Sequence, residues 1–225
     1  MTKTRAVSRQ SLPETIANDL RDRILSGEIR EGETIRQENL AQEYAVSRMP
    51  VREALKRLDA EGLLHLSNHR GATVIRHSLE EIGEIFDLRI LIEVDLFRRA
   101  IPLMTEMDFA RCGNILSQME TSYDQDDVSQ WGALNSRYHA ALYAAAQRGL
   151  TNDLLERISL QSDRYIRMHL SVMQQREHAK AEHRQLLALA RAGDVNKAAD
   201  LLARHIGRTK SELLALVEEQ RDAEN

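Results

Sequence analysis

Cysteine is nearly missing from this chain: Cys112 is the single one in 225 residues. No intrachain disulfide can form, and a reducing compartment is the natural setting. No CxxC or nucleophile motif surrounds Cys112, so it reads as a structural thiol. Proline (3), glycine (10) and aromatics (4%) are also scarce. With Leu, Ala, Arg and Glu dominant, that composition favours a largely helical protein. No apolar run approaches the ~18 residues that suggest a membrane span. The basic start MTKTRAVSRQ is followed by no apolar h-region, so it does not read as a signal peptide. Internal repeats, low-complexity tracts and a phosphate-binding glycine loop are missing too. No Ser/His/Asp or Cys/His arrangement carries a catalytic signature, so an enzyme is not expected. These absences together imply a soluble cytoplasmic protein without a membrane partner.

What is there is unevenly charged. Residues 1–77 hold 13 Lys/Arg against 11 Asp/Glu, a net of +2, and the remainder accounts for the overall -4. The shift marks a domain boundary near His77-Ser78, giving expected domains 1–77 and 78–225. The excess is small, so contact with a polyanion must rest on where the charges sit. They concentrate in SRMPVREALKRL, residues 47–58, which carries four positive charges and one negative.

Leu12–Leu25 reads as an amphipathic helix, with Ser11 as cap, Pro13 in the first turn and Gly27 as stop. Glu31-Gly32 makes a turn, and a short helix follows from Gln37 to Tyr44. Three residues join it to the basic segment, itself a helix with Ser47 as N-cap and Pro50 in its first turn. Val51, Ala54, Leu55 and Leu58 form its buried stripe, while Arg48, Arg52 and Lys56 recur every four residues on another face. Leu64-His-Leu66 and Ala72-Thr-Val74 alternate around a turn at Ser67–Gly71, which is a β-hairpin wing. A basic face alone is commonly just solvated. With the tight turn and the wing beside it, the ensemble reads as a winged helix-turn-helix for double-stranded DNA. Arg48 and Arg52 would reach base edges, and Ser47, Lys56, Arg57 and Arg70 would hold phosphates. At the wing tip, His69 and Arg70 lie beside Gly71, whose bare backbone permits close approach to a phosphate.

The segment from Leu12 to Val74 closely resembles the N-terminal domain of the GntR family of bacterial transcription regulators. The resemblance rests on Ile24-Leu25-x-Gly27, Leu40-Ala41, Val46-Ser47-Arg48-x-Pro50-Val51-Arg52-Glu53-Ala54-Leu55, Glu61-Gly62-Leu63 and Arg70-Gly71. Tyr44-Ala45 stands where small or aliphatic residues are commoner.

Beyond the boundary, apolar spacing marks about six helices, near 79–100, 105–123, 127–147, 151–172, 174–192 and 195–221. Five of the eight histidines lie here. Asn135 and His139 share a helix face, four residues apart. Ala192-Gly193-Asp194 should turn the chain between antiparallel helices, which puts His183 and His205 at about the same height, facing each other. His169 and His178 have no such partner. Spacing leaves two readings open: a divalent metal enclosed by these side chains, or core histidines satisfied by hydrogen bonds.

Residues 78–220 look like the effector-binding FCD domain of the FadR-like branch of the same family. The matching residues are Leu88-Arg89-x-x-Ile92-Glu93, Asn135-x-x-Tyr138-His139-x-x-Leu142, Glu182-His183-x-x-Leu186 and Ala198 through His205-Ile206. The resemblance implies a metal held by one Asp and three His, an organic acid effector beside it, and a homodimer. The histidines correspond to His139, His183 and His205, and Asn135 replaces the usual Asp. Imidazole ligands suit zinc or nickel. Arg89 is the expected cation for the effector carboxylate, against the alternative of an intrahelical pair with Glu93. The whole reads as a mainly α, ligand-responsive repressor. One alternative is a metal-free pocket in which the histidines bind effector directly. A more remote one is a metalloenzyme, against which stands the lack of a general base placed beside the histidines.

Overall fold

A computed structural model describes residues 11–67, 71–125, 128–172 and 176–223. They group into two compact units, Met1–Arg76 and His77–Asn225.

In the first unit, α1 (Leu12–Ser26) buries Ile16, Leu20 and Ile24 and packs on α3 (Arg48–Ala60), whose Val51, Ala54, Leu55 and Leu58 are fully buried. Each buried leucine or isoleucine contributes about 1.5–3 kcal/mol of transfer free energy, which fixes the face that α3 turns inward. Gly27, at φ 83°, closes α1 through a left-handed cap. Polar clamps add orientation: Arg21 forks onto Glu61 at 2.8 and 2.6 Å, joining α1 to the end of α3. The short helix α2 (Gln37–Glu43) is tied back to α1 by Arg23, which donates to Glu43 at 2.8 Å, and by the Tyr44 hydroxyl, which donates to Asp19. Burial and the Asp19 bond push the Tyr44 hydroxyl up to about 12. The unusual tyrosine is therefore a brace between α1 and α2.

Two expected caps differ in the structure. Ser11 and Ser47 occupy N-cap positions, but neither side chain makes the capping bond. Proline leaves each cap one fewer donor: Pro13 removes the N–H at the second helical position of α1, and Pro50 removes it at the third of α3. At Ser11 the backbone carbonyl takes over, accepting from Glu14 and Thr15 at 2.8 and 3.1 Å.

The wing strands β2 (Leu64–Ser67) and β3 (Gly71–Val74) pair antiparallel, Leu64 opposite Val74. A third strand that sequence did not reveal, β1 (Thr34–Ile35), pairs with β3 and makes the sheet order β1-β3-β2. Two residues are too few to show an alternating pattern. Asp59 of α3 accepts from the Leu66 N–H at 3.0 Å, which fastens the wing to the helix.

Among the described residues, the second unit contains six long helices: α4 (Leu79–Ala100), α5 (Glu106–Asp124), α6 (Val128–Tyr143), α7 (Gly149–Val172), α8 (Arg176–Arg191) and α9 (Val195–Ala223). α4 and α5 begin with capping boxes, Ser78 with Glu81 and Thr105 with Asp108, each cap adding about 1 kcal/mol. α4 packs against α6, α7 and α9, and α5 against α6 and α8. One continuous core joins them, with Phe86, Phe97, Trp131, Tyr138 and Leu202 fully buried. Gly193, at φ 71°, makes the tight turn between α8 and α9. No helix among the described residues is long and apolar enough to cross a membrane.

Candidate nucleic-acid interface and histidine cleft

α3 presents Arg48, Arg52, Lys56 and Arg57 to solvent, with Ser47 exposed just before them. Arg48 lies 3.0 Å from Glu38 and Lys56 lies 3.1 Å from Glu53, while Arg52 is 3.9 Å from the same Glu53. Exposed pairs of this kind contribute only ~0–1 kcal/mol, so their acidic neighbours hold these cations weakly. His69 and Arg70 lie outside the described residues. Gly71 also answers a requirement of the fold. Its φ is 125°, and a Cβ there would stand 2.0 Å from the Ile35 carbonyl oxygen. Glycine is needed so that β1 can approach β3, which is a demand of the fold.

In the helical unit, α6, α8 and α9 bring His139, His183 and His205 together. One ring nitrogen of each lies within 4.8 Å of the others, and all three residues are buried. The equal heights of His183 and His205 about the Gly193 turn leave their ring centroids 4.8 Å apart. His139 stacks on His205 at 5.5 Å.

Two of the rings are held from behind by carboxylates. His139 Nδ1 lies 3.0 Å from the Tyr143 hydroxyl and 3.3 Å from Glu93 Oε2, to which Tyr143 donates at 2.6 Å. His205 Nδ1 lies 2.6 Å from Glu182 Oε2. In a neutral ring, Nδ1–H donated outward leaves the Nε2 lone pair for the cluster. His183 is held differently: the Tyr138 hydroxyl donates to its backbone carbonyl at 2.7 Å, and its two ring nitrogens are buried without a hydrogen-bond partner. Burial pushes the His183 imidazole well below its usual pKa, and the neighbouring histidines add to the effect, so it stays neutral. An unpaired buried polar group costs about 1–3 kcal/mol. The donor set therefore fits a divalent cation: three imidazoles, one of them satisfied by nothing else, with Asn135 lining the same cleft one helical turn before His139.

The cleft encloses about 630 Å³ of space not filled by atoms, open solvent at its mouth included. Phe86, Ile166 and Ile206 give it apolar walls, and Arg89 from α4 reaches it. Arg89 is buried and makes the intrahelical pair: its Nε donates to Glu93 at 2.7 Å, and Nη1 donates to Ser162 at 3.3 Å. Its charge is thus already matched, and two of its five N–H donors are engaged. His169, for which sequence offered no partner, also lines the cleft and lies 2.8 Å from Glu212. His178 contacts Glu182 and Arg208 outside it. Sequence reading also missed Glu182, Tyr143 and Glu212. The one signal available was the direct adjacency of Glu182 to His183.

The carboxylates beside the histidines bear on catalysis. Burial alone would raise the Glu93 carboxyl, but Arg89, His139 and Tyr143 outweigh it and hold it at about 2. Glu182 is likewise held at about 2, burial being overcome by His205 and Arg208. Carboxylates that acidic are weak bases at neutral pH; they orient rings.

The family profile described as "FCD domain" matches residues 84–208, and that described as "Bacterial regulatory proteins, gntR family" matches residues 12–74. The gluconate operon transcriptional repressor of Bacillus subtilis is 34% identical over 139 residues, covering 62% of this chain and 57% of that repressor. The match thus spans little more than half of that relative's length. The transcriptional repressor GlaR of Escherichia coli is 27% identical over 195 residues, covering 83% of this chain and 89% of GlaR. Among solved structures, E. coli McbR/YncC superposes with a TM-score of 0.81 at 23% identity, covering 93% of this chain and 100% of that one, a likeness of fold.

Proposed function

The chain belongs to the FCD-containing branch of the GntR family of bacterial regulatory proteins, and from that premise we propose that it is a cytoplasmic, metal-dependent, acid-responsive transcription repressor. In this reading α3 enters the major groove of operator DNA. Arg48 and Arg52 contact base edges; Ser47, Lys56 and Arg57 hold phosphates, joined by His69 and Arg70 of the wing. The helical unit forms a homodimer that presents two such helices to a two-fold operator. Leu88 and Leu91 of α4 and Leu150 and Leu154 of α7 are exposed apolar residues at helical spacing, suited to a covered face.

Asn135, His139, His183 and His205 would hold zinc or nickel. When bound, the ion supplies a double positive charge and a position for a carboxylate oxygen. The protein's own residues do the rest. Glu93 and Glu182 fix the His139 and His205 rings, Tyr138 fixes the His183 backbone, and Arg89 offers its spare N–H groups to the acid. The cleft takes side chains from α4 and from α6 to α9, so an acid that fits one relative arrangement of these helices shifts the population toward it. The alternative is a metal-free pocket, in which the histidines, His183 with its two unpartnered nitrogens among them, bind the acid directly.

That orphaned, buried imidazole carries the proposal. The test is to strip the purified protein with a chelator, measure its melting temperature, and add zinc or nickel back. A one-to-one rise in melting temperature that is lost in His183→Ala supports the reading. An unchanged melting temperature across the titration contradicts it.

A further inference from the structure

The cationic face of α3 carries one large apolar side chain. Val51, Ala54, Leu55 and Leu58 of this helix are fully buried, yet Met49 stands 71% exposed. It is the second residue of the helix, between Arg48 and Pro50. With 3.6 residues per turn, Arg48, Arg52, Lys56 and Met49 fall within one arc of about 100°. The three cations of that arc are exposed as well. Met49 thus forgoes in the free protein the burial that fixes the opposite face of the same helix.

Its surroundings restrict what can cover it. Cations on three sides favour a polyanion as partner, and their acidic neighbours Glu38 and Glu53 hold them only through exposed pairs. A lipid surface would need a whole apolar helix face, and this face offers a single methionine. A recognition helix in the major groove turns its N-terminal residues toward the base edges, and Met49 lies in that first turn. The base edges there present donors, acceptors and one apolar group, the 5-methyl of thymine. A thioether has no hydrogen to donate and accepts only weakly, so donors and acceptors are poor partners for it. The methyl group is the partner that it fits, and its flexible, unbranched chain adapts to that contact.

We propose that Met49 is a specificity-determining residue, which packs on the 5-methyl of one thymine in each half-site of the operator. This rests on the placement of α3 in the major groove given above. It adds a base read by burial of a methyl group beside those that Arg48 and Arg52 read by hydrogen bonding.

The experiment uses the full chain and a duplex that it selects from random sequence. Each thymine is replaced in turn by deoxyuridine, which removes the 5-methyl and keeps every hydrogen-bonding group. At one thymine per half-site the exchange should weaken wild-type binding about fourfold, the worth of one buried methyl group. Met49→Ser should bind the thymine and deoxyuridine duplexes equally, and Met49→Leu should keep the discrimination. Since Met49 is exposed, both variants should melt at the wild-type temperature. The proposal is overturned if no thymine methyl matters to the wild type, or if the methyl penalty persists undiminished in Met49→Ser. Arg52→Ala, measured on the same duplexes, separates this outcome from failure of the underlying reading. If Arg52→Ala relaxes base preference while deoxyuridine changes nothing, the groove placement stands and the role of Met49 falls. If neither change matters, or the wild type selects no sequence, both fall together.

Discussion

At the scale of single residues, His183 separates a binding site from an ordinary core. A satisfied core histidine loses hydrogen bonds when replaced, whereas an unpartnered one loses only a penalty. In chelated protein, His183→Leu should therefore be neutral or stabilising by up to about 1–2 kcal/mol, read by urea denaturation. A loss of more than that would mean the ring is satisfied after all. Glu93 gives a second residue-scale prediction, with a sign fixed by its environment. Its folded pKa of about 2 lies below the ordinary 4.5. Its contribution is thus fully present above pH ~4.5 and is lost as pH falls toward 2. Glu93→Gln should flatten the acid limb of the stability profile over that window and lower stability near neutral pH. The contacts of Glu93 beyond its own helix were not legible in spacing. Tyr143 and Glu93 are 50 positions apart, and only packing of α4 on α6 shows that they meet.

At the scale of elements, periodicity carried more. The six long helices lie where apolar spacing puts them, because each must bury a stripe whichever neighbours it has. His183 and His205 face each other because a constant rise per residue converts distance from the Gly193 turn into height. What escaped were features set by tertiary contact, the two-residue β1 and the close approach that Gly71 allows. The basic helix α3 is where legibility and function coincide, and its division of labour is testable. Arg52→Ala should cost about 1–3 kcal/mol on the specific operator and relax base preference at one position per half-site. Lys56→Ala should weaken all sequences alike and lower the salt slope by about one. Fluorescence anisotropy on specific and scrambled duplexes at several salt concentrations distinguishes the two. Equal proportional losses in both variants would contradict the assignment.

At the scale of the whole molecule, the proposed function joins a DNA-binding unit to a sensing unit through self-association. The full chain should sediment as a dimer at micromolar concentration. Leu91→Glu, which puts a charge on an exposed apolar position of α4, should make it a monomer with unchanged helical content. Operator affinity should fall with it, since each half-site is then bound alone. A monomeric wild type would remove the two-fold geometry from the account. The central claim is that the buried histidines couple metal and acid to DNA binding. It is tested most directly by operator affinity, on a duplex selected from random sequence, with and without the best-binding acid. The measurement is made on zinc-loaded wild type, chelated wild type and His183→Ala. The account predicts that the acid weakens DNA binding at least tenfold in zinc-loaded wild type alone, while all three forms bind operator in its absence. An acid response of equal size in all three forms would contradict it.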